Sequence, residues 1–319
     1  MPRTSLEVEV RDVSQVGDAR RKVLRLAQLA GMDEAAAGNA AIVATEMATN
    51  LVNHAGGGVV LARSEPRAVE LCAVDKGAGM DLAASLRDGR STRGTAGNGL
   101  GAIRRLSSAF DGFSDTRGSV VWARVGAAPP ALEFGAVCLP LGGESGCGDD
   151  WTSGLTEDGG YVFVVDGLGH GPIAAAAAEA ATEGARDEAP LAALTAAHGR
   201  MSGTRGGAAA YVRVNTRQRS LSYASVGNIA INLITSTRSR GLPAQNGTLG
   251  MPSPLRIQET AVPMDGPALV VMHSDGVATR WSLADYAGLS ARHAAVIAAV
   301  LWRDYRRGRD DATVVVLRC

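Results

Sequence analysis

Three polar side chains stand four residues apart in the N-terminal part of the chain: Glu46, Asn50 and His54. Residues at this spacing share one face of a helix. Alone, the spacing is typical of a polar stripe facing solvent. Two glycine-rich stretches follow it, however, and the three features in this order indicate a ligand-binding site.

The first glycine-rich stretch, DKGAG at 75–79, ends an apolar strand. A carboxylate at Asp75 can accept a hydrogen bond from an exocyclic amine such as that of adenine, and the glycines let the backbone approach a ring. Alone, this pattern also fits an ordinary turn. The second stretch, GNGLG at 97–101, opens a helix, where free N–H groups and the helix dipole favour phosphate.

Carboxylates end apolar strands at three places in the C-terminal part. Asp166 lies in VVDGLGHG, Asp275 lies in MHSDG, and the pair Asp310-Asp311 precedes the last strand. Each acid alone fits a simple turn. Three strand-end acids, two of them followed by glycine, are better explained by a hard cation. Mg²⁺ and Mn²⁺ prefer oxygen ligands, and glycine permits a close backbone carbonyl ligand.

The elements that position the N-terminal residues follow from periodicity and turn signals. Strands are predicted at 6–10, 59–63, 68–74 and 119–125, and helices at 16–30, 33–55 and about 100–110. Asp33 is expected to cap the second helix, because a short polar side chain there accepts from the first free N–H groups. Residues 127–130, Ala-Ala-Pro-Pro, predict a linker, because paired prolines stop helix and sheet alike. The first domain is therefore predicted at 1–126.

The chain beyond the linker is predicted to form a second domain at 131–319. Its strands are predicted at 133–139, 161–165, 208–214, 220–226, 268–273 and 312–318. Helices are predicted after Pro172, at 191–201 and at 283–305. Strands in hairpin order with grouped helices between them predict an antiparallel sandwich. The fold class expected for the whole chain is α+β, in two domains.

The N-terminal motifs ATEMATNLVNHAGGG, AVDKGAGM and GNGLGAIRRL resemble the N, G1 and G2 boxes of the GHKL ATPase superfamily. They are most similar to the small switch kinases of the RsbT/RsbW/SpoIIAB group, over about residues 5–125. The resemblance implies a GHKL-type α/β sandwich that binds ATP with Mg²⁺ and transfers a phosphoryl group by positioning and charge neutralisation.

The resemblance also implies a role for each matched residue. Glu46 would be the general base that prepares the attacking hydroxyl, Asn50 would hold Mg²⁺, and Asp75 would read adenine. The glycines beside adenine and phosphate would be Gly77, Gly79, Gly97, Gly99 and Gly101. His54 is interpreted as structural, because a switch kinase of this kind has no phospho-accepting histidine.

In the C-terminal part, the order DGLGHG, GNIAINL, HSDG and RDDATVVVL resembles the PPM-type phosphatases of the SpoIIE/RsbU/RsbX group, over about residues 131–319. The resemblance implies a PPM-type α-β-β-α sandwich that holds two Mn²⁺ or Mg²⁺ ions. By position, Asp166 would bridge the two metals and Gly167 would donate its carbonyl. Asp275 and Asp310 would hold one of the metals.

In the C-terminal motifs, some metal-ligand and phosphate-binding roles have more than one candidate residue. Asp149, in GCGDDW, matches the acid on the other metal, with Asp150 as a rival, and Asp311 is a rival of Asp310. No residue matches the phosphate-binding arginine of larger PPM enzymes, and Arg205 and Arg213 are the candidates. His170 is interpreted as a loop residue. His198 and His293 are interpreted as helix-surface residues without a role.

Composition narrows the class of protein. The 319 residues are 46% hydrophobic and 20% charged, too apolar for a disordered chain. Lys+Arg and Asp+Glu both total 32, so no broad charge footprint for nucleic acid or an anionic membrane is expected. The 4 dispersed cysteines fit reduced thiols, not a disulfide framework or a zinc site. A cytoplasmic protein is expected, since no signal-peptide core or bilayer-length apolar run is present.

Together the two resemblances predict a bifunctional regulator of bacterial partner switching. The kinase half would phosphorylate Ser or Thr on a STAS-domain antagonist, and the phosphatase half would remove that phosphate. A downstream phosphatase or sigma-regulatory protein is a further expected partner. The alternatives are a non-catalytic N-terminal docking or anti-sigma-factor module that uses ATP binding to gate the phosphatase, and a phosphatase acting on a different protein. A non-enzymatic scaffold is disfavoured, because both sites retain their acids.

Overall fold

The computed structural model describes residues 3–85, 99–252 and 255–319. The chain divides into two compact units, and each of them is made from two separate stretches of sequence. The first unit contains Met1–Ala131 together with Ser282–Arg303, and the second contains Leu132–Trp281 and Asp304–Cys319.

The first unit is built on a five-stranded antiparallel sheet, with its two long helices packed on one face. Its strands are β1 (Leu6–Val10), β2 (Gly58–Glu65), β3 (Ala68–Val74), β4 (Ala109–Asp115) and β5 (Gly118–Gly126), in the order β1-β2-β3-β5-β4. Its helices are α1 (Val13–Leu29), α2 (Glu34–Asn50), the short α3 (Leu82–Ser85) and α4 (Gly99–Leu106). The two long helices pack their alanine- and valine-rich faces on alternate residues of the strands.

The start and end of helix α2 determine where its polar residues lie. As predicted, Asp33 caps it, accepting a hydrogen bond from Ala36 N at 2.8 Å. The predicted single helix 33–55 is divided, because after Asn50 the chain continues as a π-helical turn over Leu51–Ala55. Such wide turns often occur at functional sites. The predicted helix at 100–110 is also shorter, since α4 ends at Leu106 and β4 follows.

The second unit contains two five-stranded antiparallel sheets. One has the order β13-β10-β9-β8-β7 and the other has the order β12-β11-β14-β15-β6. The strands are β6 (Glu133–Leu139), β7 (Asp149–Thr156), β8 (Gly159–Gly167), β9 (Gly207–Asn215), β10 (Ser220–Val226), β11 (Ala230–Thr235), β12 (Ser239–Leu242), β13 (Thr260–Pro263), β14 (Ala268–His273) and β15 (Ala312–Arg318).

Two apolar cores hold this second unit together. The larger core contains side chains of both sheets, among them Val164, Val212, Val270 and Val315. The smaller core lies between the first sheet and two helices, α5 (Pro172–Thr182) and α6 (Pro190–Arg200). Both helices begin with proline, which lacks the N–H that a first helical residue leaves unbonded. The predicted antiparallel α+β architecture is confirmed.

The segment Ser282–Arg303 departs from the predicted arrangement. In place of the single helix predicted at 283–305, two short 3₁₀ turns, Leu283–Asp285 and Leu289–Ala291, come before α7 (Ala294–Tyr305). The prediction of a continuous domain at 131–319 also places this segment in the second domain, whereas its contacts assign it to the first unit. Every residue from Ala294 to Arg303 is buried, which is typical of a helix covered on all sides. Within the described residues, no helix is both long and apolar enough to span a bilayer.

Candidate active sites

The first site forms where α2 meets the start of α4. A Cβ placed on Gly99 would lie 3.1 Å from Glu46 Oε2 and 3.2 Å from Asn50 Oδ1. The two side chains therefore converge on the first residue of α4, where any larger residue would crowd both of them. Helical spacing brings them to one face, as expected, and the absence of a side chain at Gly99 completes the approach.

Asp75 is buried at the end of β3, and one of its two carboxylate oxygens is occupied. Its Oδ1 accepts hydrogen bonds from Gly77 N at 2.8 Å and from Ser119 N at 3.1 Å. The other oxygen, Oδ2, accepts none from any described residue, and Asp75 lines the adjacent pocket. The carboxylate is thus fixed by its backbone donors and keeps one oxygen to accept from a ligand.

The turn between β4 and β5 fixes the loop that follows Asp75. Gly118, at φ 124°, lies so close to the carbonyl of Asp75 that a Cβ there would overlap it. On the same side, Met80 N donates to Ser114 Oγ at 2.7 Å. The 75–79 loop is therefore positioned by the β4–β5 hairpin as well as by its own glycines.

A cavity of about 600 Å³ joins these features, which is in the range of small-ligand sites. Of the predicted ligand-binding residues, the cavity is lined by Glu46, Asn50, Asp75, Gly77, Gly79 and Gly99. Gly101 is buried within α4 and is not among the lining residues. Gly97 lies outside the described residues. His54 also lines the cavity, with an exposed side chain.

The second site begins at the paired ends of β7 and β8. Asp149 and Asp166 are directly opposite in the antiparallel register, so their Cα atoms are neighbours across the two strands. Asp166 also pairs with Ala208 of β9. Strand pairing thus brings together two acids that are separated in sequence.

A glycine brings the remaining acids close to one another. A Cβ on Gly276 would overlap the carbonyl of Asp311, so the backbone after Asp275 packs directly against the 310–311 turn. No other residue fits this contact, which explains why Asp275 is followed by glycine. Ser274 N also donates to Thr313 O at 3.1 Å, which holds the same two stretches together.

Hydrogen bonds distinguish Asp149 from Asp150, and Asp310 from Asp311, as candidate metal ligands. Asp150 accepts from the Thr182 hydroxyl on α5, while Asp149 is buried and accepts from Ser274. Asp311 accepts from two backbone N–H groups, Leu141 N at 2.6 Å and Gly148 N at 2.7 Å. Its two oxygens are thereby occupied. The geometry favours Asp149 and Asp310 as the acids available to a cation.

Burial and mutual repulsion disfavour ionisation in this cluster. Burial raises the pKa of Asp166 to about 9, and neighbouring carboxylates add to the rise. These neighbours are Asp149, Asp275, Asp310 and Asp311. Burial likewise raises the pKa of Asp149 to about 7, although its hydrogen bond from Ser274 acts in the opposite direction. Such concentrated negative charge requires protons or cations for compensation.

The donor set fits divalent Mg²⁺ or Mn²⁺, which bind carboxylate and carbonyl oxygens. The acids Asp149, Asp166, Asp275 and Asp310, with the Gly167 carbonyl, are the predicted ligands. Among the described residues, no three His, Cys, Asp or Glu side chains are already arranged as a metal centre.

Two polar residues of this site were not identified from the sequence. Asn228 Nδ2 donates to Asp275 Oδ2 at 2.7 Å, and Ser274 Oγ donates to Asp149 Oδ2 at 2.6 Å. Both lie inside motifs whose acids or glycines carry the family resemblance, GNIAINL and HSDG. The available signal was that Ser274 precedes Asp275 and that Asn228 follows the glycine of its motif. Such outer residues orient ligands and tune their basicity.

The two arginine candidates lie in different surroundings. Arg213 is ion-paired with Asp187 at 2.7 Å. Arg205 forms no ion pair or hydrogen bond with any described residue, and its Nη1 lies 3.2 Å from where a Cβ on Gly169 would be. Leu168 N donates to Gly206 O at 2.9 Å, which ties the 167–169 loop to the residue after Arg205. Of the two candidates, Arg205 is therefore the one beside the loop that follows Asp166.

The comparisons with known proteins agree with this geometry. Residues 10–125 match the histidine kinase-like ATPase domain, and residues 156–319, more than half of the chain, match stage II sporulation protein E. The chain belongs to the SpoIIE family. It thus combines a GHKL-like ATPase domain with the PPM-type phosphatase domain of SpoIIE. No curated protein matches the chain.

Solved structures similar to this SpoIIE-family chain include one from work on "The bacterial stressosome: a modular system that has been adapted to control secondary messenger signaling". It is 31% identical, with a TM-score of 0.54, and the match covers 59% of this chain and 100% of that one. A structure of RsbX in complex with magnesium is 21% identical, with a TM-score of 0.53, covering 60% and 96% respectively. The second likeness concerns the fold alone.

Proposed function

We propose that the chain is a bifunctional partner-switching regulator. Its first unit would phosphorylate a Ser or Thr hydroxyl on a STAS-domain antagonist, and its second unit would hydrolyse the resulting phosphoester. One observation above all supports the proposal. The first unit brings Glu46, Asn50 and Asp75 into one pocket, and the second unit brings several carboxylates together around Asp166. The expected partners are that antagonist, in both phosphorylation states, and a downstream phosphatase or sigma-regulatory protein.

In the first unit, the proposed roles follow from the pocket. Asp75 Oδ2 would accept the adenine amine, and Asn50 would hold the Mg²⁺ that neutralises phosphate charge. Glu46, beside Asn50 at Gly99, would take the proton of the attacking hydroxyl. Phosphoryl transfer needs positioning and charge neutralisation more than covalent chemistry, and these residues are sufficient for both.

In the second unit, Asp149, Asp166, Asp275 and Asp310 would hold two Mn²⁺ or Mg²⁺ ions with the Gly167 carbonyl. Bound metal would supply an activated water and charge stabilisation at the phosphoryl group. Asn228 and Ser274 would orient two of the ligands through their hydrogen bonds. Arg205 would contact the phosphoryl oxygens, since its guanidinium is free of other described partners and lies beside the loop after Gly167.

A second candidate function treats the first unit as a nucleotide-binding docking module without kinase activity. The observation in its favour is that Ser282–Arg303 belongs to the first unit although residues of the second unit flank it in sequence. The presence of Glu46 in the pocket favours the kinase.

A paired time course tests the proposal. A STAS protein is incubated with ATP and either Asp275→Asn or Glu46→Ala, and phosphorylation is followed by intact mass. Asp275→Asn should accumulate phosphoprotein, because only the kinase remains. Glu46→Ala should only dephosphorylate, with the forward rate reduced about 10²–10⁴-fold by loss of a general base.

The outcome that contradicts the kinase role is specific. If Asp275→Asn binds ATP but phosphorylates no STAS protein, the docking-module candidate replaces the kinase. If the wild-type chain removes phosphate in excess chelator, the metal-dependent phosphatase is wrong.

A further inference from the structure

Positive charge is concentrated in two stretches of the second unit, each next to a proposed metal ligand. Residues 276–281, GVATRW, directly follow Asp275, and residues 305–309, YRRGR, directly precede Asp310. Neither stretch contains an acidic residue, although the chain as a whole has equal numbers of basic and acidic residues. The arginines of the two stretches are Arg280, Arg306, Arg307 and Arg309.

Backbone hydrogen bonds hold these two stretches side by side. Ala278 N donates to Tyr305 O at 2.9 Å, and Arg307 N donates to Gly276 O at 2.8 Å. Both bonds lie within the second unit. The pairing therefore brings arginines that are separated in sequence to the same end of the acid cluster.

Three of these arginines have side chains that are available to a partner. Arg280, Arg307 and Arg309 are exposed, and none of them forms an ion pair or a side-chain hydrogen bond with any described residue. We call these three residues the arginine surface. Other arginines of the second unit are already paired with aspartates, and these are Arg213, Arg217 and Arg238.

The arginine surface adjoins the proposed metal site. Arg309 is the residue before Asp310. Burial lowers the pKa of His273, the last residue of β14, and the positive charge of Arg307 acts in the same direction. The Arg307 guanidinium therefore lies within electrostatic reach of the strand end that leads to Asp275.

This positive charge is not needed to balance the proposed metal site. The carboxylates proposed as ligands would be balanced by the two divalent cations that they hold. Arginines of like charge that lie close together repel one another, and an anion from outside the chain relieves that repulsion. A guanidinium binds a carboxylate through parallel hydrogen bonds, so acidic side chains are suitable partners.

We propose that the arginine surface binds acidic residues that flank the phosphorylated Ser or Thr of the substrate protein. This inference rests on the proposed phosphatase function and names its substrate class. The phosphoryl group itself is left to Arg205, on the other side of the site. Charges at the rim of an interface contribute to association and specificity, so the surface should lower KM and leave kcat unchanged.

Two phosphoserine peptides test this specificity on the full chain. One has glutamates on both sides of the phosphoserine, and the matched peptide has glutamines in the same positions. At low ionic strength, kcat/KM of the wild-type chain should be about tenfold higher for the glutamate peptide, as expected for several exposed charge pairs. High salt should remove most of the difference, because exposed charges are screened.

A triple variant with glutamine in place of each residue of the arginine surface tests the assignment. Its KM for the glutamate peptide should rise about tenfold, while the glutamine peptide and p-nitrophenyl phosphate should stay within about twofold. Mn²⁺ affinity by calorimetry should equal that of the wild-type chain. Arg280→Gln alone, which is not adjacent to a proposed ligand, should show part of the same selective loss.

A second triple variant is the matched control. It combines Arg213→Gln, Arg217→Gln and Arg238→Gln, and so removes the same charge from arginines that are already paired. It should keep the preference for the glutamate peptide.

Several results would overturn the proposal. Equal losses on all three substrates, or a weaker Mn²⁺ affinity, would show that the arginines act on the acid cluster itself. A wild-type chain without preference between the two peptides has no acidic specificity. If a single-stranded oligonucleotide inhibits the wild-type chain but not the first triple variant, and the glutamate peptide shows no preference, the surface binds nucleic acid. A wild-type chain inactive on every substrate with Mn²⁺ would instead contradict the proposed phosphatase function.

Discussion

Ser274 Oγ donates a hydrogen bond to Asp149 Oδ2 at 2.6 Å, joining the end of β14 to the start of β7. The same hydroxyl accepts from Thr313 N at 3.1 Å, so its proton is directed at the carboxylate. Both residues are buried. The serine thus fixes the orientation of an acid that lies far from it in sequence.

Removing this hydroxyl should weaken metal binding. Ser274→Ala leaves Asp149 without its donor, and loss of such an outer residue typically costs about 10–100-fold in metal affinity. Titration calorimetry with Mn²⁺ measures the effect. Ser225→Ala is the matched control, since Ser225 is also buried and its hydroxyl has no partner among the described residues. An unchanged affinity in Ser274→Ala would show that the bond does not orient a ligand.

Asp149 and Asp150 should respond differently to the same substitution. Asp149→Asn should abolish metal-dependent hydrolysis, because it removes a proposed ligand charge from the cluster. Asp150→Asn should retain most activity, since the two oxygens of its carboxylate accept from Thr182 on α5 and from Trp151 N. Circular dichroism confirms folding of both variants. The reverse ranking of phosphatase rates would exchange the two assignments.

The metal-free chain should lose stability as pH rises. Asp166 has an ordinary pKa of 3.8 and a folded pKa of about 9. Between these values the folded state keeps a proton that the unfolded state has released, so the free energy of unfolding falls with increasing pH. Thermal melts of the chelator-treated chain at about pH 6 and about pH 8.5 measure the slope. Mn²⁺ should restore more stability at the higher pH, and Asp166→Asn should flatten the dependence.

Asp75→Asn should weaken nucleotide binding with little change in fold. An asparagine can keep the oxygen that accepts from Gly77 and Ser119, while its NH₂ group replaces the oxygen that faces the pocket. Two donors would then oppose each other at the adenine amine, and the lost hydrogen bond should cost roughly 1.5–3 kcal/mol. Calorimetry on the full chain is appropriate, because Ser282–Arg303 belongs to the same unit. Wild-type affinity would refute the assignment.

Arg205→Ala should raise KM for a phosphoprotein substrate by about tenfold, because one charged hydrogen bond to phosphate is worth about 1.5 kcal/mol or more. Arg213→Ala is the control, since that guanidinium already pairs with Asp187. If both variants show equal KM values, Arg205 makes no contact with phosphate.

Local patterns predicted the regular elements well where they were apolar and bounded by turns. The strands Ala68–Val74, Ser220–Val226 and Ala312–Arg318 have the predicted bounds. The strand Ala109–Asp115 was missed, because AFDGFSD has glycine and two acids and is held mainly by pairing with β5. Pairing across strands overrides weak local preference.

In the candidate sites, too, the sequence predicted what depends on local spacing and not what depends on contacts between distant strands. The grouping of Glu46 with Asn50 follows from helical spacing, which sequence reveals directly. Asn228 and Ser274 carry no such periodic signal, because their partners come from distant strands joined only by the tertiary fold. The pattern of Ser282–Arg303 likewise predicts one helix of the second domain, since nothing local indicates which sheet a buried helix covers.

The division of the first unit between two stretches of sequence has a consequence for the linker at 127–130. A protease that cuts there breaks the chain once, yet one fragment still contains Ser282–Arg303, which belongs to the same unit as the other fragment. The nicked protein should therefore elute as a single species in gel filtration and separate only in denaturant. Genes encoding the two fragments, expressed together, should reconstitute the fold by complementation.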